Sequence, residues 1–225
     1  MKRPRTEPAS PARTYRGETA EARTDQRRAK LLEAALDCFA TRGVASTTMR
    51  DICSQARLTD RYFYESFRNT RDAHEAVCAW QKGMLEARAS EAMARAPLNL
   101  IDQARAGLAA FYAYLREDVR RSHVLLNDGL TGAAHPDDEP PRAALGPCIA
   151  LIQKAALRAD PRIQQNFDVD MVARGLLGMA TQVGSVWARS GYAQPLEEVV
   201  DHNLYAWRGL ERWVQETATG RQQAA

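Results

Sequence analysis

The stretch from Gly43 to Thr70 is punctuated too closely to hold long elements. Gly43 stops one amphipathic segment, with Arg42 in its last turn where the helix dipole favours a cation. Ser46-Thr47-Thr48 then offers N-cap residues for Met49–Ala56, a helix of about two turns. Arg57-Leu58-Thr59 breaks that run, and Thr59 stands where it can cap a third short helix reaching Ser66. Arg68-Asn69-Thr70 is the next break, with Asn69 or Thr70 as cap of a long helix that continues to Ala94 and stops before Pro97.

Upstream, Leu32, Ala35, Leu36 and Phe39 repeat at helical spacing, so a first helix is expected from Asp25. Downstream, helices are expected over 100–118 (Leu108, Phe111, Tyr112 and Leu115 inward), 119–127, 145–157, 168–190 and 196–217, with a loop over 131–142 around Pro136, Pro140 and Pro141. No segment alternates with the period of a strand. The expected fold is all-α. Residues 1–24 are expected to form a disordered basic tail, 25–72 a helix-turn-helix unit, 73–217 a helical effector-binding and dimerisation unit, and 218–225 a C-terminal tail.

Charge is divided unevenly along this chain. Residues 1–72 hold 15 Lys and Arg against 10 Asp and Glu, a net +5, whereas the whole chain carries only +3. That asymmetry points to a polyanion as partner of the N-terminal third. No apolar run approaches the ~18 residues of a membrane span, and the basic start is followed by no apolar stretch of a secretory signal. Cys38, Cys53, Cys78 and Cys148 are far apart, which indicates neither zinc nor a disulfide framework, and a reducing cytoplasm is the expected location. His123 and His135 have no carboxylate or cysteine at metal-ligand spacing, and the acidic run 137–139 reads as a solvated tip. No cofactor is implied. Nor is there a G-x-S-x-G, an H-E-x-x-H or a phosphate-cradling glycine loop, so an enzyme is not expected.

Two short helices joined by a tight turn behind a longer one are the layout of a helix-turn-helix. Ile52, Ala56, Leu58, Phe63 and Phe67 are its inward positions, which leaves Arg50, Asp60, Arg61, Tyr62, Tyr64 and Glu65 on one surface. The run Leu31-Leu32-Glu33-Ala34-Ala35, followed by Phe39, Gly43, Thr48, Ile52, Ala56, Leu58-Thr59, Phe63-Tyr64 and Phe67, resembles the signature of the tetracycline-repressor (TetR) family over about residues 27–72. The resemblance implies a DNA-binding transcriptional regulator, with double-stranded DNA as partner. By position, Thr48 and Tyr64 contact phosphate, and Arg50 reaches a phosphate or a guanine. Asp60, Arg61 and Tyr62 take the recognition positions: Arg61 suits guanine and Tyr62 a thymine methyl. Asp60 either accepts from a cytosine amine or, the role placed first, is an acid favoured at a helix N-terminus. Thr70 stands where the family carries a lysine, a weakening that Arg68 or Arg71 could restore. Arg57 stands where it carries a turn glycine, at a cost of ~1–2 kcal/mol if the left-handed conformation is kept.

The resemblance also implies a palindromic operator, bound by a homodimer through the last two long helices. Those carry Val172, Leu176, Met179, Val183 and Trp187, then Val200, Leu204, Trp207, Leu210 and Val214. Gly175, Gly178 and Gly184 would allow close approach, although the same stripes also suit the domain's own core. Release by a small hydrophobic or amphipathic effector is expected, with Phe111, Leu115, Leu126, Met179 and Trp187 as candidate walls of its pocket. Two rival readings are a redox-responsive regulator through Cys53 or Cys38, and an architectural DNA binder with no effector.

Overall fold

A computed structural model describes residues 19–126, 142–165 and 168–223, and every regular element among them is helical. The helices are α1 (Ala20–Arg42), α2 (Met49–Ala56), α3 (Asp60–Ser66), α4 (Thr70–Arg95), α5 (Leu100–Glu117), α6 (Val119–Val124), α7 (Arg142–Ala159), α8 (Val169–Arg189) and α9 (Leu196–Gln223), with a 3₁₀ turn at Pro161–Gln165.

Two boundaries differ from expectation for the same reason. α1 starts at Ala20 rather than Asp25, because Thr19 caps it, its hydroxyl accepting from the Ala22 amide at 3.1 Å. α9 continues through Gln223, past the expected tail boundary at 218. Both extra segments are polar, so hydrophobic periodicity could not register them. The expected loop over 131–142 lies outside the described residues, apart from Arg142, which opens α7. His135 and the acidic run 137–139 also lie outside them, as do residues 1–18 of the expected tail.

Among the described residues two large hydrophobic clusters, with a small third one of Ile149, Ala173 and Leu177, organise the helices. The N-terminal one gathers Leu31, Ala35 and Phe39 of α1 around Ile52 of α2, Phe63 of α3 and Phe67, all buried. Val77 of α4 and Val124 of α6 close it from below. The second joins α5, α8 and α9 through Tyr112, Leu115, Trp187 and Leu204, with Leu85 from α4. α4 thus serves both, and between its two contributions lies a buried hydrogen bond from the Tyr114 hydroxyl to Gln81 Oε1 at 2.5 Å.

An ionic cluster sits at this junction. Arg120, at the start of α6, donates to Asp118 and, across to α1, to Glu33 at 2.7 Å, with Asp37 at 3.7 Å. Asp37 also accepts from Gln55 of α2 at 2.6 Å. The Arg120 guanidinium therefore ties α6 to the helix that backs the helix-turn-helix. Its hydrogen bond to Asp118 holds that carboxyl below the usual carboxylate range.

Candidate nucleic-acid interface and ligand cavity

Thr48 is the N-cap of α2, and it forms a reciprocal capping box with Asp51. Its hydroxyl accepts from the Asp51 amide at 3.2 Å, and its own amide donates to Asp51 Oδ2 at 2.9 Å. The Thr48 hydroxyl also donates to Asp51 Oδ2 at 2.6 Å, and this bond first, with that of the Thr48 amide second, lowers the Asp51 carboxyl, which also pairs with Arg42. At the far end of α2, Arg57 takes the left-handed conformation, φ 54° and ψ 43°. The Leu58 amide then reaches the Cys53 carbonyl at 3.0 Å, closing a Schellman-type turn into α3. Thr59 occupies the N-cap position of α3, yet its side chain makes no capping bond, contrary to the expected role.

Asp60 and Arg61 are exposed at the start of α3, and Tyr64 is 62% exposed one turn on. Arg50 is exposed on α2. Arg61 is engaged by Glu65 at 2.9 Å, a pair with four-fifths of the arginine side chain in solvent, so the partner is readily exchanged. Tyr62 departs from the expected exposed position. It is half-buried because the Arg27 guanidinium stacks over its ring, 4.6 Å from the centroid. Arg28 of α1 donates to the Ser66 carbonyl at 3.0 Å and covers the Phe67 ring, which fixes the C-terminal end of α3. Sequence reasoning missed these two arginines, since only their i, i+1 order was visible and not the helix they face. Thr70 is half-buried in the first turn of α4, after the true cap Asn69. Arg68 and Arg71 flank it on the surface, paired with Asp72 and Glu75.

A separate cavity of about 90 Å³ lies between α4, α5, α7 and α8, closed at one side by Trp207 of α9. Its wall includes Leu85, Met93, Leu108, Phe111, Ile152 and Leu176. Of the five expected wall residues, only Phe111 lines it. Leu115 and Trp187 are instead buried in the α5–α8–α9 core, where the Trp187 indole donates to the Gln194 carbonyl at 3.0 Å and meets Tyr112 and Tyr192 edge-on. Leu126 borders a different cleft, with His123, Ser185 and Arg189. Met179 is half-buried on α8 and lines neither. The apolar signal was the same for core and cavity, so spacing alone could not separate them. Among the described residues no cluster of His, Cys, Asp and Glu could hold a metal ion, and no helix is long and apolar enough to cross a membrane.

Residues 31–77 match the sequence profile of the family described as bacterial regulatory proteins, tetR family. Over these residues the chain resembles the TetR family. Its helix-turn-helix is α2 and α3, backed by α1 and the first turns of α4. Solved structures of similar shape align with about four-fifths of this chain. One is a fatty acid degradation regulator FadR from Bacillus halodurans (TM-score 0.69, 14% identity, 80% of this chain and 94% of that one). Another is FadR from Bacillus subtilis in complex with stearoyl-CoA (TM-score 0.69, 15% identity, 80% and 96%). A TetR-like transcriptional regulator from Rhodococcus sp. RHA1 is 22% identical (TM-score 0.61, 82% and 96%). At these identities the likeness is one of fold. Among curated proteins, none matches this chain in sequence.

Of the two uses expected for the stripes on the last two long helices, the chain's own core takes most of the residues. Leu176, Trp187, Val200, Leu204, Trp207 and Val214 are buried in the chain's own core, and a side chain at Gly184 would press on Leu115, Tyr112 and Phe111 at 3.3–3.5 Å. The surface carries another stripe: Met171 (70% exposed), Gly175, Gly178 and Val186 on α8. Tyr205, Gly209 and Trp213 are exposed on α9. Gly175, Gly178 and Gly209 have open space where a side chain would stand.

Proposed function

We propose that this chain is a transcriptional regulator that binds a palindromic operator as a homodimer and is released by a small apolar or amphipathic molecule. The observation that carries it is the exposed start of α3, with Arg61 and Tyr64 on a TetR-family helix-turn-helix that also shows Arg50. Arg61 is the residue with guanine-reading chemistry, Tyr62 packs on a thymine methyl, and Thr48, Tyr64 and Thr70 lie along the phosphates. Asp60 is first an acid at the α3 N-terminus. The reading unit is 25–72, and the effector and dimer unit follows from 73. The protein acts in the cytoplasm, without catalysis or cofactor.

The dimer forms on the exposed α8 and α9 stripe rather than on the buried one, with Gly175, Gly178 and Gly209 admitting the partner's side chains. Support comes from the apolar groups left in solvent there, Met171, Val186, Tyr205 and Trp213. Two copies set their α3 helices in successive major grooves, about 34–36 Å apart. The effector occupies the cavity beside Phe111 and, by binding one conformer better, shifts the pair away from that spacing. The cavity is small against the ~300–1,000 Å³ of drug-sized sites, so the effector's apolar part is slender or the walls open around it.

Selection of bound fragments from a random DNA pool, followed by sequencing, is the test. An enriched palindrome with half-sites about one turn apart is expected, and Arg61→Ala should relax preference at one position in each half-site at a cost of ~1–3 kcal/mol. Binding without enrichment, fading uniformly with salt, would reduce the protein to a non-specific DNA binder.

A further inference from the structure

We propose that Glu86 makes the cavity select an effector with an apolar tail and a positively charged head. This inference rests on the reading of the cavity as the effector site. The wall is hydrocarbon and sulfur almost throughout, and among the described residues Glu86 is the one charged group on it. The donor end of the nearest rival for a polar ligand group, the Gln103 amide, is already spent: its nitrogen lies 2.8–3.2 Å from the carbonyls of Met93, Ala96 and Pro97, which leaves the uncharged Oε1. Glu86 is half-buried on α4 and makes no ion pair or hydrogen bond with any described residue. Its charge reaches across the cavity to Cys148 on α7, a lining residue. That thiol is pushed up first by burial and then by the Glu86 carboxylate, against a weaker opposing effect of Lys82. Lys82 lies one turn earlier on α4 and outside the wall, and at the Cys148 thiol the Glu86 charge outweighs it.

An anionic head entering here meets a carboxylate and no lining cation. A neutral head gains what its tail buries and at most a hydrogen bond, without the pairing of opposite charges. An ammonium head leaves the tail in the apolar wall and supplies Glu86 with the counterion it lacks, in a setting drier than the surface and less screened by salt.

Three probes with one tail and different heads test this by calorimetric titration: octyltrimethylammonium, octanol and octyl sulfate. With the full-length chain, the ammonium should bind about five- to tenfold more tightly than the sulfate, as one partly buried charge pair allows. Glu86→Gln should bring the two together while leaving octanol unchanged, and Glu86→Lys should invert the order. Equal or tighter binding of octyl sulfate to the native protein overturns the proposal. So does an ammonium preference that survives Glu86→Gln, or a failure of all three probes to bind. The DNA selection needs no ligand, so a protein that enriches a palindrome but ignores Glu86 loses this inference while its DNA reading stands.

Discussion

Replacing Arg57 by glycine should make the protein more stable, although it removes a side chain and adds none. Arg57 holds φ 54° and ψ 43° at the turn between α2 and α3, where a Cβ is crowded by the following carbonyl at a cost of ~1–2 kcal/mol. Glycine removes that cost but gives the unfolded chain more freedom, worth ~0.4–1 kcal/mol in the other direction. The net is a gain of ~0.5–1 kcal/mol. For a chain of this length 1 kcal/mol moves the melting temperature by about 2–4 °C, so R57G should melt about 1–4 °C above the native protein. Differential scanning calorimetry at fixed protein concentration reads this, with R57A as the control that deletes the side chain but keeps the strained backbone. The order expected is R57G above native, and R57A close to native. R57G at or below native, with R57A unchanged, would refute the argument, because it would mean the turn stores no strain for glycine to relieve. Operator affinity is a separate readout: if the guanidinium touches phosphate, both variants bind more weakly and show a shallower salt dependence.

Arg120→Ala should destabilise by ~2 kcal/mol through charged hydrogen bonds lost to Asp118 and Glu33, read as a lower thermal midpoint that Arg120→Lys restores only in part because ammonium cannot fork. The Asp118 carboxyl is depressed in the folded state, first by its hydrogen bond to Arg120. Its contribution is therefore fully present above the unfolded carboxylate value of about 3.9 and is lost as pH falls through the lower folded value. Stability measured by denaturant titration should drop below about pH 4, and Asp118→Asn should flatten that drop while lowering stability at neutral pH. Burial raises the Cys53 and Cys38 thiols, which keeps them protonated and poorly reactive; operator binding should survive mild peroxide, and a loss reversed by thiol would restore the redox-responsive reading.

The helix-turn-helix was legible nearly residue by residue. Met49–Ala56 lies where the Thr48 cap and the Arg57 break put it, and Asp60–Ser66 starts after Thr59 as expected although that side chain caps nothing; breaks are local, and short helices leave little room for error. Even the strain at Arg57 could be anticipated. Tyr62 was not, since whether it faces water depends on Arg27, a residue distant in sequence on another helix. The C-terminal half was legible as helices but not as surfaces. An apolar side chain such as Trp187 carries the same signal whether it fills a core, lines a cavity or meets a partner, and only the packing of α5 against α8 and α9 distinguishes them. The polar ends of α1 and α9 escaped because helix there is held by a cap and by continuation, neither of which leaves an apolar rhythm.

The position of α6 bears on how such a regulator can be rebuilt. The segment that matches the family ends at residue 77, yet the N-terminal core also takes in Val124, and Glu33 and Asp37 meet their cation at Arg120. A hybrid made by cutting in α4 and joining this helix-turn-helix segment to a foreign C-terminal domain would leave two carboxylates side by side on α1 without their cation and an unfilled space where the valine sat. The transplantable piece is discontinuous in sequence. A chimera that keeps an arginine and a valine at these two α6 positions should fold with its borrowed domain, and one that follows the sequence boundary alone should not.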